Sequence, residues 1–180
     1  MERETAAERD LVGLVKRNDA KAWEQVYVDL YPRLRAYAAR RVGHDRASDV
    51  VAETMAKAVG SIGKFDPSGV GLSPWIFGIC RHVVADTFRS AARSERHPII
   101  PPVPVDEIGD RIEGDEEAAA VRLAYAKLSD DDREILDLRV IAGLSADDVA
   151  GVLDRKAGAV RMAQSRALER LRAHYKEVYR

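Results

Sequence analysis

A single cysteine, Cys80, stands in this 180-residue chain. One thiol excludes an internal disulfide framework and leaves too few ligands for a cysteine-based zinc site. No apolar stretch approaches the length needed to span a bilayer, and Met1-Glu2-Arg3-Glu4 lacks the apolar core of an export signal, so the expected location is the cytoplasm, without membrane insertion. Aromatic residues are scarce at 6% and β-branched runs are few, which argues against a β-rich fold. Charge of either sign is not in excess: the formal net charge is −1. Proline is sparse except in one place, where Pro98, Pro101, Pro102 and Pro104 crowd together.

That proline cluster divides the chain. It runs into acidic residues to Glu117, and its proline density forbids a regular helix, so 98–117 is expected to be an acidic, Pro-rich linker. The near-zero net charge then resolves into parts. Residues 1–97 carry 16 Lys+Arg against 13 Asp+Glu, the linker 1 against 7, and residues 118–180 carry 12 against 10. Two mildly basic ends flank an acidic middle, and a weak overall field implies weak non-specific affinity for nucleic acid.

Both ends read as helical, which makes the fold class all-α: an N-terminal helical bundle (1–97) and a C-terminal helix-turn-helix domain (118–180). In the first, helices are expected from about Thr5 to Lys16, from near Asp19 with Pro32 kinking it or starting a new helix, from about Arg46 to Ile62, and from a Ser73-Pro74 start to about Arg96. In the second, Ser129 precedes Asp132 and Ser145 precedes Asp148, the capping pattern that opens a helix. A polar turn, Asp154 to Gly158, leads to a last helix with Val160, Ala167, Leu168, Leu171 and Tyr175 on an apolar stripe and cations between them. Two helices joined by so short a turn, the second basic on its outer face, suit the major groove; a helical bundle with a solvated arginine face is the alternative.

Chemistry of other kinds finds no seat. Cys80 and His82, two apart on a helix, point in different directions, and no Asp/Glu/His metal constellation or Gly-Lys-Ser/Thr phosphate loop is present, so no catalytic residue, metal, cofactor or small-molecule substrate is expected. On the fourth helix Trp75, His82, Arg89, Arg93 and Arg96 share one face, a mixture of rings and cations that suits single-stranded nucleic acid; packing of Trp75 against a neighbouring helix is the bland reading of that face.

Several segments taken in order resemble the extracytoplasmic-function sigma factors, promoter-specificity subunits of bacterial RNA polymerase: Ala22-Trp23-Glu24-Gln25-Val26-Tyr27 with Tyr31-Pro32-Arg33-Leu34, Asp49 to Thr54, Phe65-Asp66-Pro67, Pro74 to Arg81, and the final helix-turn-helix. The resemblance implies that Asp49, Val50, Glu53, Thr54 and Lys57 dock on the polymerase β′ clamp, and the β flap is a further expected contact. It implies that Lys64, Phe65, Asp66, Ser73, Trp75, Arg81, His82, Arg89 and Arg93 hold the melted strand of the minus-ten element. Arg155, Lys156, Arg161, Gln164, Ser165 and Arg166 would read the minus-thirty-five element, and an anti-sigma factor is a possible further partner. The chain departs from the family pattern at Asp154 (commonly glycine), Lys156 (commonly serine or threonine), His82 (often asparagine) and Ala163-Gln164, where a basic-aliphatic pair is usual. A stand-alone helix-turn-helix regulator with an N-terminal protein- or ligand-binding domain is the competing reading.

Overall fold

The computed structural model describes residues 6–93 and 116–179, with side chains over 7–90 and 116–179. The described residues form eight α-helices: α1 Ala6–Lys16, α2 Ala20–Val42, α3 His44–Ser61, α4 Leu72–Arg93, α5 Glu116–Ala126, α6 Asp130–Leu136, α7 Ala146–Leu153 and α8 Ala157–Val178. A 3-10 turn at Ile62–Lys64 follows α3, and a π-helical turn at Asp137–Ile141 follows α6. Most of the expected linker lies outside the described residues, but its last two residues, Glu116 and Glu117, already belong to α5. Their carboxylates sit in the first turn, where the helix dipole favours negative charge.

Helix α2 begins where Asp19 accepts a hydrogen bond from the Ala22 N–H (2.9 Å). It then runs through Pro32 as one helix, so of the two expected outcomes a new start at Pro32 does not occur. The carbonyl that loses its partner belongs to Val28, an exposed residue on the outer side of the helix. The Ser73 cap expected for α4 is also absent. The helix starts at Leu72, the Trp75 N–H bonds to the Gly71 carbonyl (3.1 Å), and the Ser73 hydroxyl is buried without a partner. In the second lobe the caps form as the sequence predicts. Ser129 accepts from the Asp132 N–H (3.2 Å), and Ser145 and Asp148 exchange bonds in a full capping box (both 3.0 Å).

Helices α1 to α4 bury Val15, Leu34, Tyr37, Val51, Ile76, Phe77 and Val83, and Tyr37 meets Phe77 edge-on at 6.0 Å. This core does not stop at the lobe boundary. Ile135, Leu138, Leu144, Val149 and Val160 join the same apolar cluster, while Tyr125, Leu128, Leu136 and Ala167 form a separate small one in the C-terminal lobe. Polar bonds seal the seam. Arg33 Nε donates to the Ala142 carbonyl (2.7 Å), Arg81 Nε to Glu134 (2.9 Å) and Arg40 Nε to Asp137 (2.7 Å). Asp137 is 1% exposed and also accepts from the Tyr125 hydroxyl (2.6 Å), with Arg41 Nε at 3.2 Å as an ion pair lacking hydrogen-bond geometry.

Helix α7 lies against the loop before α4 at Gly151. A Cβ there would fall 2.0 Å from Val70 Cγ1, so only glycine admits this approach. Gly151→Ala favours α7 by helix propensity yet forces the contact apart. The expected result is a larger radius of gyration by small-angle scattering with unchanged helical circular dichroism. An unchanged radius would mean that the loop yields instead of the lobes.

Candidate nucleic-acid interface

The helix-turn-helix consists of α7, the turn Asp154–Lys156 and α8. Asp154 ends α7 in the left-handed region (φ 51°, ψ 51°), and the Arg155 N–H closes the turn onto the Ala150 carbonyl at 2.9 Å. Glycine adopts that conformation without steric cost, and aspartate is among the few other residues that tolerate it. Lys156 is the N-cap of α8 and makes no side-chain capping bond, as a residue without a side-chain acceptor must. The turn is therefore built without the residues that would stabilise it best.

Along α8 the buried line is Val160 and Ala167, with Ala163, Gln164 and Leu168 half-buried beside it. Gln164 thus leaves the set of base contacts that the sequence proposes. Its amide oxygen accepts from Arg139 Nε (2.8 Å), and Arg139 also bonds the Leu144 carbonyl, so Gln164 ties α8 to the segment before α7. Its spacing from Val160 and Ala167 carried that signal. Arg155, Lys156, Arg161, Ser165 and Arg166 are exposed. Arg155 pairs with Asp131, and Arg161 lies 3.8 Å from Asp147, a loose surface pair. Arg170 is turned back on Asp132 (Nε to Oδ2, 2.6 Å), and its guanidinium holds that buried carboxyl below the ordinary carboxylate range.

On the N-terminal lobe the expected docking face of α3 splits. Asp49, Glu53 and Lys57 are exposed, and Lys57 bridges Glu53 (2.8 Å) and Asp86 of α4 (3.6 Å). Val50 and Thr54 are corrected to core positions, 3% and 0% exposed, with the Thr54 hydroxyl bonded to the Val50 carbonyl at 2.7 Å.

The loop and α4 divide likewise. Phe65 is 3% exposed and packs against the half-buried Trp75 (centroids 5.2 Å), so it supports the indole and does not meet bases. Ser73, with its buried hydroxyl, is likewise internal. Lys64 and Asp66 are exposed, and Asp66 accepts from both the backbone and hydroxyl of Ser68 (2.9 and 2.7 Å), which shapes the loop and lowers its pKa. His82 is exposed, and its Nδ1 lies 2.8 Å from the Gly78 carbonyl, so Nδ1 is the donor. Arg89 is exposed and held by Asp86 (2.5 Å), whereas Arg81 points to Glu134 across the seam. The Arg93 side chain lies outside the described residues. Burial pushes the Cys80 thiol up to about 11, which makes it inert.

An open cleft of about 1290 Å³ separates α1 and α2 from the segment Gly143–Ser145 and the loop at Val70, with Glu8, Asp29, Asp147 and Asp148 among its lining residues. Among the described residues no helix is long and apolar enough to cross a membrane, and no three His, Cys, Asp or Glu side chains converge as metal ligands.

Two family models match this chain, Sigma-70 region 2 over residues 26–94 and Sigma-70 region 4 over residues 124–173. The ECF RNA polymerase sigma factor ShbA of Streptomyces griseus is 33% identical, across 94% of this chain and 96% of ShbA. The chain belongs to the extracytoplasmic-function sigma factors. It therefore initiates transcription with RNA polymerase and is not an enzyme. SigD of Mycobacterium tuberculosis is 30% identical over 86% of this chain and 77% of its own. Among solved structures, the sigma factor RpoE in complex with the anti-sigma factor NepR from Bartonella quintana superposes with a TM-score of 0.70 at 28% identity, covering 87% of this chain and 98% of that one. CnrH in complex with the cytosolic domain of CnrY gives 0.68 at 26% identity, covering 93% and 96%.

The sigma factor's unassisted turn is directly testable. Lys156→Ser should add the missing capping acceptor and raise stability by about 1 kcal/mol, and Asp154→Gly should add a similar amount by relieving the left-handed backbone. Thermal denaturation of each variant checks this. A lower melting temperature in either would mean that the native turn holds a compensating bond.

Proposed function

We propose that this sigma factor divides promoter recognition between its lobes. The N-terminal lobe holds core polymerase at the β′ clamp through Asp49, Glu53 and Lys57, and captures the melted minus-ten strand with Lys64, Asp66, Trp75, His82 and Arg89. The C-terminal lobe contacts the β flap and reads the minus-thirty-five element with Arg155, Lys156, Arg161, Ser165 and Arg166. The observation that supports this most is the exposed cationic end of α8, following a capped α7 and a three-residue turn. A recognition helix enters the major groove with its N-terminal residues, and that end of α8 is the one left open.

Strand capture requires the lobes to part, because α7 lies on Val70 in the loop assigned to the minus-ten element. Core polymerase drives that separation by binding each lobe at a different site, an equilibrium shifted by differential affinity. The acidic linker crosses basic channels of the polymerase. An anti-sigma factor is a further partner, as for the relatives crystallised with one; the acid-lined cleft between the lobes suits a basic helical segment. The protein acts in the cytoplasm, where polymerase and promoter DNA are.

Mixing the purified protein with core RNA polymerase on genomic fragments should yield promoter-dependent transcription. No binding to core at low salt would sink this reading. Trp75→Ala should leave core binding intact while lowering open-complex formation roughly tenfold, the worth of one stacked base; lost core binding would make Trp75 structural. Arg161→Ala should weaken upstream-element binding and reduce its salt slope by about 1, whereas an unchanged slope would remove Arg161 from the interface.

A further inference from the structure

Helix α8 presents an outward row of which the proposed reading uses only Ser165. Gly158, Met162, Ser165 and Glu169 recur at intervals of four, three and four, and all are exposed. At roughly 100° per residue this row lies opposite the buried line of Val160 and Ala167, and Arg161 and Arg166 flank it on either side. In a groove-bound helix the flanking positions face the two phosphate walls, and the central row faces the base edges. No cation or amide stands in that central row. Gln164, the one amide of α8, lies beside the buried line, half-buried and engaged with Arg139.

Met162 is the only long apolar side chain in the row, and it is 57% exposed. An isolated exposed methionine is ordinary on a protein surface, so exposure by itself carries nothing. Its position does. Between two arginines, one turn into the recognition helix, it lies where a side chain must meet the groove floor. Gly158, one turn before it, has open space where a Cβ would be and leaves Met162 unobstructed on the approaching side. The major groove offers a thioether chain one methyl group, the C5-methyl of thymine, set among hydrogen-bond donors and acceptors. A methionine over guanine or adenine would desolvate those groups without pairing them.

We infer that Met162 is a specificity-determining residue that packs on the methyl group of a thymine in the upstream promoter element. This rests on the helix-turn-helix reading of that element. Methionine suits the role because its flexible chain and polarisable sulfur fit irregular apolar contacts.

The test uses the holoenzyme. Upstream elements are selected from a randomised duplex library on active promoters, and each thymine of the winner, on either strand, is then replaced by deoxyuridine, which removes only the methyl. One replacement should weaken binding about fourfold, the worth of one buried methyl-sized group. With Met162→Ala holoenzyme that same replacement should have no further effect, while Met162→Leu should keep the sensitivity. The inference is overturned if methyl removal is neutral at every thymine, or if its cost is the same in Met162→Ala. Enrichment of no upstream sequence, with transcription retained, would overturn the helix-turn-helix reading together with this inference. Matching thermal denaturation of the variants separates a lost contact from a misfolded lobe.

Discussion

The Asp137 carboxylate is where the two lobes become one body. At 1% exposure it has no water to solvate its charge, and a lone buried carboxylate would cost several kcal/mol. Tyr125 of its own lobe donates to it, and Arg40 and Arg41 of α2 bring the compensating charge. Arg40 also lies over the Tyr125 ring at 4.3 Å, so the tyrosine holds both members of the pair. Separation of the lobes exposes these groups together, and each can then be hydrated. The seam is therefore strong when dry and replaceable when wet.

Around that seam the acidic residues next to the helix-turn-helix serve a second purpose. Asp131 holds Arg155, Asp147 lies near Arg161, and Asp132 draws Arg170 back onto α6. Arginines that would otherwise attract any phosphate backbone are partly neutralised in the free protein. Non-specific DNA affinity scales with the number of phosphates neutralised, so pairing these arginines lowers it. The exposed pairs are weak enough for phosphates to displace. A chain of net charge −1 can thus bind a promoter once polymerase supplies the remaining affinity.

The two sides of α8 illustrate how one helix combines holding and reading. Val160 and Ala167 fasten it inward, Gln164 anchors Arg139, and Arg170 anchors Asp132. What remains outward is a central row without cations, Gly158, Met162, Ser165 and Glu169, between arginines.

The sequence by itself determined the helices other than α5, the start near Asp19, the caps at Ser129 and Ser145, and the family, because capping and periodicity act within a few residues and the family signature lies in local segments. It also placed Asp49, Glu53, Lys57, Trp75, His82, Arg161 and Arg166 on faces that prove accessible, wholly or in part. Only the tertiary structure decided that Val50, Thr54 and Phe65 are core, that Pro32 leaves α2 whole and that Ser73 caps nothing. It alone joined Arg33, Arg40 and Arg81 to residues about a hundred positions or some fifty positions away. Side-chain roles of this kind depend on which face of a helix meets another helix, and a charged residue such as Asp137, set among apolar neighbours, reads as a surface position until the arginines that bury it are brought across.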